Sequence, residues 1–333
     1  MPTKKPGFIF ILALSILAML TILITSVYTK VALYAPYTSA LKKREQAKML
    51  ALGGIEHAIA QIEQILNPSE KDTGEAKDKK PKNPLVDLVE LLNTWQDISL
   101  EDSSDLTSPS LSIYISSEQG KINLSALYDT EKKLFNTDQA TGVDYGKMLL
   151  ELGELGKKIA KELPDFLTKR SYEPQDITEF LSLPAFKEFE HKLCIEKDGT
   201  EPYLTDLFTL SSGKKTINPL CASVSLQKAL GFSINLKTDK ESKEKLNKII
   251  ESLGTDGSLE KSWDQGLDKI YQKQWKDIPE QIKKLFTLEY EPFLFSVVSY
   301  ARVGSLTQKI YALVKQETHD KIKRFVIERI YWI

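Results

Sequence analysis

Catalysis and metal binding need reactive side chains brought together, and this sequence offers few. His57, His191 and His319 stand far apart and without metal-ligand spacing. Acidic pairs such as Asp102 with Asp105, or Glu289 with Glu291, read as solvated charges rather than general acids. No Gly-rich phosphate loop, Gly-x-Ser-x-Gly or Cys-x-x-Cys occurs. The expectation is therefore a protein that is not an enzyme, with no cofactor and no metal site read from the residues themselves. Cys194 and Cys221 are the only cysteines. In an oxidising compartment they could join, closing a loop of about 28 residues for roughly 3 kcal/mol. Spacing alone leaves the bonded and the free state open.

The element that must position everything else is a rod at the front. No charged residue lies between Lys5 and Lys30, and residues 8–28 are almost wholly apolar. As a helix rising about 1.5 Å per residue, that stretch is roughly 31 Å long, enough to cross a hydrocarbon core. It is longer than the apolar region of a secretory signal peptide, and no small-x-small cleavage site follows it. Phe8, Leu12, Ile16, Leu20, Ile24 and Val27 are the expected anchor residues. A second helical run follows, with apolar or small residues at Ala47, Ala51, Gly54, Ala58, Ile62 and Ile65 and charges such as Lys43, Glu45, Lys48, Glu56 and Glu63 elsewhere. The expected arrangement is a transmembrane helix over 8–29 that continues as an amphipathic helix over 30–66.

Beyond the rod, residues 67–84 hold Lys, Asp, Glu, Pro and Gly, a flexible charged linker by composition. A short helix is predicted over 85–95. Leu111, Ile113 and Ile115 then alternate with Ser112, Tyr114 and Ser116 as a half-buried strand. Ser117 to Gly120 would turn, and Lys121 to Leu124 would return as a hairpin. From about 128 to 285 helical stretches alternate with turns, at 145–163, 176–183, 184–193, 223–230, 242–253 and 279–286. Asp176-Ile177-Thr178-Glu179 carries the pattern of a capping box. Strands are predicted again over 293–304 and 309–315, and 322–333 adds a third strand or a short helix. With 45 basic and 46 acidic residues the chain lacks the basic footprint of nucleic-acid binding. Leu183-Pro184-Ala185-Phe186 also lacks the glycine of a phosphate-holding helix-hairpin-helix turn.

Several of these strings carry a family resemblance. Lys4-Lys5-Pro6-Gly7, directly ahead of Phe8, resembles the leader of type IV pilin-like proteins. There a prepilin peptidase cuts after Gly at the cytoplasmic membrane face, and the new N-terminus is methylated. The resemblance implies cleavage between Gly7 and Phe8 and methylation of Phe8. The run from Glu45 to Ala58 resembles the post-membrane helix of the minor pseudopilin K of type II secretion systems. Ser117-Glu118-Gln119-Gly120-Lys121-Ile122-Asn123-Leu124-Ser125 resembles the motif after that family's first strand. The runs at 180–186, 216–223 and 293–304 resemble its internal landmarks and closing strands. Leu12 stands where major pilins carry a Glu, a position pseudopilin K also typically leaves uncharged.

The resemblance implies an α+β, pilin-like fold, a long N-terminal helix packed on an antiparallel sheet with a large, mostly α-helical insertion. Its parts would be a leader over 1–7, the helix over 8–29 and 30–66, the linker over 67–84, a first α/β part over 85–127, the insertion over 128–285 and closing strands over 286–333. It implies a single-pass inner-membrane protein with a cytoplasmic N-terminus and a periplasmic globular part. Such a protein would cap a pseudopilus tip with minor pseudopilins I and J, contacting them through Ala47, Ala51, Gly54, Ala58 and Ile62. Family members bind calcium; Asp277, Glu289 and Glu291 are candidates here, and no ligand set is assigned. The alternatives are a minor pilin of a type IV pilus and a single-span, signal-anchored periplasmic binding protein. Charge counting opposes the implied orientation, because Lys30, Lys42, Lys43 and Arg44 after the span outnumber Lys4 and Lys5 before it.

Overall fold

The computed structural model describes residues 6–67, 84–99, 108–170, 172–197, 199, 201–211, 215–232, 248, 250, 259–319 and 322–333. Most of the expected leader and linker, Asp102 and Asp105, and nearly all of the helix expected at 242–253 lie outside them. Helix α1 (Pro6–Leu66) is a single element of 61 residues. Pro36 sits inside it and has no N–H to give the carbonyl one turn back, so the ladder is interrupted there. Helix α2 (Pro84–Leu91) buries Val86, Leu88 and Val89.

Next come β1 (Trp95–Ser99) and β2 (Ser110–Ser117), followed by the short strands β3 (Ile122–Asn123), β4 (Tyr128–Asp129), β5 (Leu134–Phe135), β6 (Thr137–Asp138) and β7 (Val143–Asp144). Strand β8 (Phe208–Thr209) lies in the insertion, and β9 (Leu294–Val303), β10 (Leu306–His319) and β11 (Ile322–Trp332) follow it. The main sheet has the order β1-β2-β9-β10-β11 with every pair antiparallel. The insertion thus enters the chain between two strands that are neighbours in space.

Alternation along the strands sorts the two faces. Leu111, Ile113 and Ile115 of β2, Phe295, Val297 and Ala301 of β9, and Ile310, Ala312 and Val314 of β10 belong to the core that includes α1. Tyr114, Val298, Tyr311 and Leu313 point the other way and pack with Cys194, Ile195 and Tyr203 from the insertion. A sheet covered on both faces buries residues at successive positions, which is why β9 is buried almost without a break from Leu294 to Ala301. Helix α1 meets the first face through Ala47, Ala51, Ile55, Ala58 and Ile62, all fully buried. Burying Ile55 and Ile62 stabilises the docking by about 1.5–3 kcal/mol each. At the far end, Glu63 accepts the Phe325 N–H at 2.7 Å and Asn67 donates to the Lys323 carbonyl at 3.0 Å, pinning the helix across β11.

Several expectations need correction. The hairpin over 111–124 does not form. After β2 the chain enters a 3-10 turn (Glu118–Gly120), and β3 pairs in parallel with β8 instead of returning on β2. The cause is packing against the insertion: a Cβ at Gly120 would lie 1.9 Å from the Cys221 carbonyl oxygen. The strand on the other edge of β2 is β1, which had no strand expectation; its first residue, Trp95, was the last of the helix expected over 85–95. The helix predicted over 145–163 is two, α3 (Tyr145–Glu151) and α4 (Gly153–Thr168), broken at Leu152.

The rest of the insertion is short and largely helical. It contains 3-10 turns at Ile177–Ser182 and Pro184–Phe189, α5 (Leu204–Leu207) and α6 (Val224–Ala229). The capping box expected at Asp176 is present, with Asp176 accepting the Thr178 N–H and Glu179 accepting the Asp176 N–H. Burial alone would raise the Asp176 carboxyl, but the bonds from Thr178, with Tyr331 and Arg329 nearby, together hold the group below its ordinary value. Of the residues expected as a third strand or a short helix, Ile322–Trp332 form strand.

Candidate assembly surface on the first helix

Helix α1 has two environments. Phe8, Leu12, Ile16, Leu20, Ile24 and Val27 are all exposed, and this is a helix long and apolar enough to cross a membrane. Its hydroxyls are satisfied locally: Thr21, Thr25 and Thr29 each donate to the carbonyl four residues back, at 2.8, 2.7 and 2.7 Å. A polar side chain in hydrocarbon needs such a partner. Helix α1 begins at Pro6, so Gly7 and Phe8, the residues flanking the implied cleavage point, lie within its first turn.

The exposed surface does not stop where the span should. Val31, Leu33, Tyr34, Tyr37 and Leu41 are bare, with Tyr37 64% exposed, although they lie beyond the Tyr28 and Lys30 that would mark a membrane boundary. From Ala47 onward the same helix is docked. Ala47, Ala51, Gly54, Ala58 and Ile62, the stripe expected to carry assembly contacts, form the face that packs on the chain's own sheet. Gly54 seats the helix, since a Cβ there would meet Ser299 Oγ at 2.2 Å and Leu111 at 2.9 Å. Sequence reasoning found the stripe of small residues but could not tell an internal partner from an external one. The signal it left unused is that apolar residues continue for some eleven positions past a sufficient span, about 1.5 Å each.

The Ser117–Ser125 motif turns out to be a buried polar joint. Lys121 is fully buried and its ammonium donates to Glu118, to the Thr205 carbonyl at 2.6 Å and to Ser296 Oγ at 2.6 Å. Those three bonds exhaust its donors, so the group has nothing left for a ligand. Ser116 and Ser296 share a bond of 2.8 Å beside it. Gln119 donates to the Glu289 carbonyl and accepts from the Glu291 N–H, both at 3.0 Å. The motif therefore welds the sheet, the insertion and the approach to β9 together. Charged residues directly after an alternating strand were the available signal, and burial was what the sequence could not show.

Cys194 and Cys221 are both free and buried, so the disulfide left open by their spacing is not formed. Cys194 packs with Tyr114 and Tyr311 on the insertion side of the sheet, whereas Cys221 belongs to the main core beside Gly120. Burial pushes both thiols up. Of the three acidic candidates for calcium, Asp277 lies on a separate segment of the chain from Glu289 and Glu291. Asp277 ends a 3-10 turn at Trp275–Asp277, while the backbones of Glu289 and Glu291 are engaged with Gln119. Among the described residues no three His, Cys, Asp or Glu side chains are grouped to hold a metal ion. Between the outer face of β10 and β11 and the insertion lies a cavity of about 210 Å³, lined by residues such as Glu118, Phe208, Leu313 and Arg329.

The long exposed helix docked on an antiparallel sheet, with helical material inserted between neighbouring strands, is an α+β fold with the layout that the pilin-like resemblance implies. No protein-family model matches the chain, and no curated protein does. Among solved structures it is similar to a chain in the crystal structure of the GspK-GspI-GspJ complex from the enterotoxigenic Escherichia coli type 2 secretion system. That likeness covers 89% of this chain and 99% of the other at 14% identity, with a TM-score of 0.46.

Proposed function

We propose that the chain is a minor pseudopilin of a type II protein secretion system, capping the pseudopilus tip and helping to start its assembly. In this reading it is a single-pass inner-membrane protein with its N-terminus in the cytoplasm and its globular part in the periplasm. A prepilin peptidase cuts between Gly7 and Phe8, and minor pseudopilins I and J are its partners. The observation that carries the reading is the division of α1 into a bare apolar half and a half docked on its own sheet. A helix of this kind needs lipid first and other helices afterwards, which is what extraction from a membrane into a fibre provides. Two further features suit an end position. The insertion is bulky, and Leu12 supplies no carboxylate to pair with a neighbour's terminal amine. Work would be done by assembly, not by bond chemistry.

Deleting the gene in its native host tests this. Retention of normally exported proteins in the periplasm, restored by the wild-type gene, is the expected result. Normal export with loss of surface pili would replace the reading with that of a minor pilin. Normal export and normal pili would leave a signal-anchored periplasmic protein.

A further inference from the structure

We propose that the cavity between the insertion and the outer face of the sheet is a binding site for a small, neutral, apolar molecule, one the size of a benzene ring with one or two added carbons. Segments distant in sequence build it. Cys194 and Phe208 come from the insertion, Tyr311 and Leu313 from β10; all four are buried and form the floor. Gln175, Thr178 and Trp332 are exposed and form the rim, so the cavity opens to solvent at that end. Its volume is about 210 Å³. An apolar cavity of about 150 Å³ already admits benzene, so there is room here for about six to eight heavy atoms.

Close-packed interiors leave few voids larger than a water molecule, and an empty one forfeits the contacts its lining could make. Water is a poor filler, because each molecule needs about two to four polar partners. The polar groups of this wall are instead bonded within the protein. The Thr205 hydroxyl donates to the Leu193 carbonyl at 2.8 Å, and Thr209 Oγ1 accepts the Ser211 N–H at 3.1 Å. At the rim, the Thr178 hydroxyl donates to Asp176 at 2.7 Å and the Arg329 guanidinium donates to the Gln175 carbonyl. Charge also cancels. Glu118 is paired with Lys121, and Asp176 and Arg329 attract each other, so the wall selects neither an anion nor a cation. A charged ligand would lose its hydration here without gaining a partner, whereas an apolar one gains by leaving water. Size, engaged hydrogen bonds and cancelled charge all select the same occupant.

The test uses full-length protein in lipid nanodiscs, with isoleucine and leucine methyl groups labelled for NMR. Toluene, benzoate and benzylamine probe nearly one size in neutral, anionic and cationic form. Toluene should shift the methyls of Ile177, Leu193 and Leu313 saturably and leave Ile282, buried in the main core, unmoved. Benzoate and benzylammonium should bind at least about tenfold more weakly. Leu193→Phe and Leu313→Phe each fill the cavity from a different wall. In either variant that folds, read by circular dichroism, toluene affinity should fall at least about tenfold. No saturable shift in the wild-type protein would overturn the proposal. So would benzoate or benzylammonium binding as tightly as toluene, or undiminished toluene binding in a folded filling variant. No readout depends on secretion, so the site stands or falls independently of the pseudopilin reading.

Discussion

Gly54 of the first helix and Ser299 of β9 approach so closely that a Cβ on the glycine would lie 2.2 Å from the serine oxygen. This contact sets the distance at which the rod lies on the sheet. Gly54→Ala should destabilise the globular part by about 1–3 kcal/mol through overpacking. Gly53 is exposed, and a Cβ there meets nothing within 4 Å, so Gly53→Ala should instead stabilise by about 0.5–1 kcal/mol. Thermal unfolding of the two variants in detergent checks this, and shifts of the same sign in both would contradict the packing described.

The Lys121–Glu118 joint makes a second prediction. Lys121→Ala leaves the Glu118 carboxylate buried without its cation and should cost about 3–5 kcal/mol. Replacing both residues, as Lys121→Met with Glu118→Leu, should recover most of that loss. Urea titration of single and double variants measures it. A double variant as unstable as the single one would show that the joint is not an ion pair of this kind.

Asp97 on β1 reports whether the insertion is strapped to the sheet. Lys197 bonds both its oxygens at 2.7 and 2.8 Å and Ser112 bonds one at 2.6 Å, holding the carboxyl below its ordinary value. A lowered folded pKa gives stability that is complete above the unfolded value of about 3.9 and is lost as pH falls through the lower folded value. Both partners are largely exposed, so the stabilisation is small. Lys197→Ala should move the Asp97 titration upward by NMR. An unmoved titration would mean that the strap is not held there.

The thiols give a simple check. Cys194 and Cys221 are buried and free, so folded protein should react with a bulky maleimide at neither, and denatured unreduced protein at both. Two thiols appearing only after reduction would restore the disulfide.

Much of this architecture was legible in the sequence, because it rests on local pattern. The rod follows from an uncharged apolar run, the strands β9 and β10 from β-branched and aromatic residues, and the cap at Asp176 from the Glu three positions on. What was missed depends on long-range partners. β1 reads as Trp95-Gln96-Asp97-Ile98-Ser99, with too little alternation to announce an edge strand paired to β2. The turn after Ser117 looked like a hairpin because nothing local reveals that Cys221 packs against Gly120. The small residues from Ala47 to Ile62 looked like an assembly stripe, and only the fold shows the sheet already occupying it.

The most direct test of the pseudopilin account is the mature N-terminus, read by mass spectrometry on protein taken from its native membrane. The account predicts a chain beginning at Phe8 with a methylated amine, the product of a cut after Gly7. A chain that still begins at Met1 or Pro2 would contradict it.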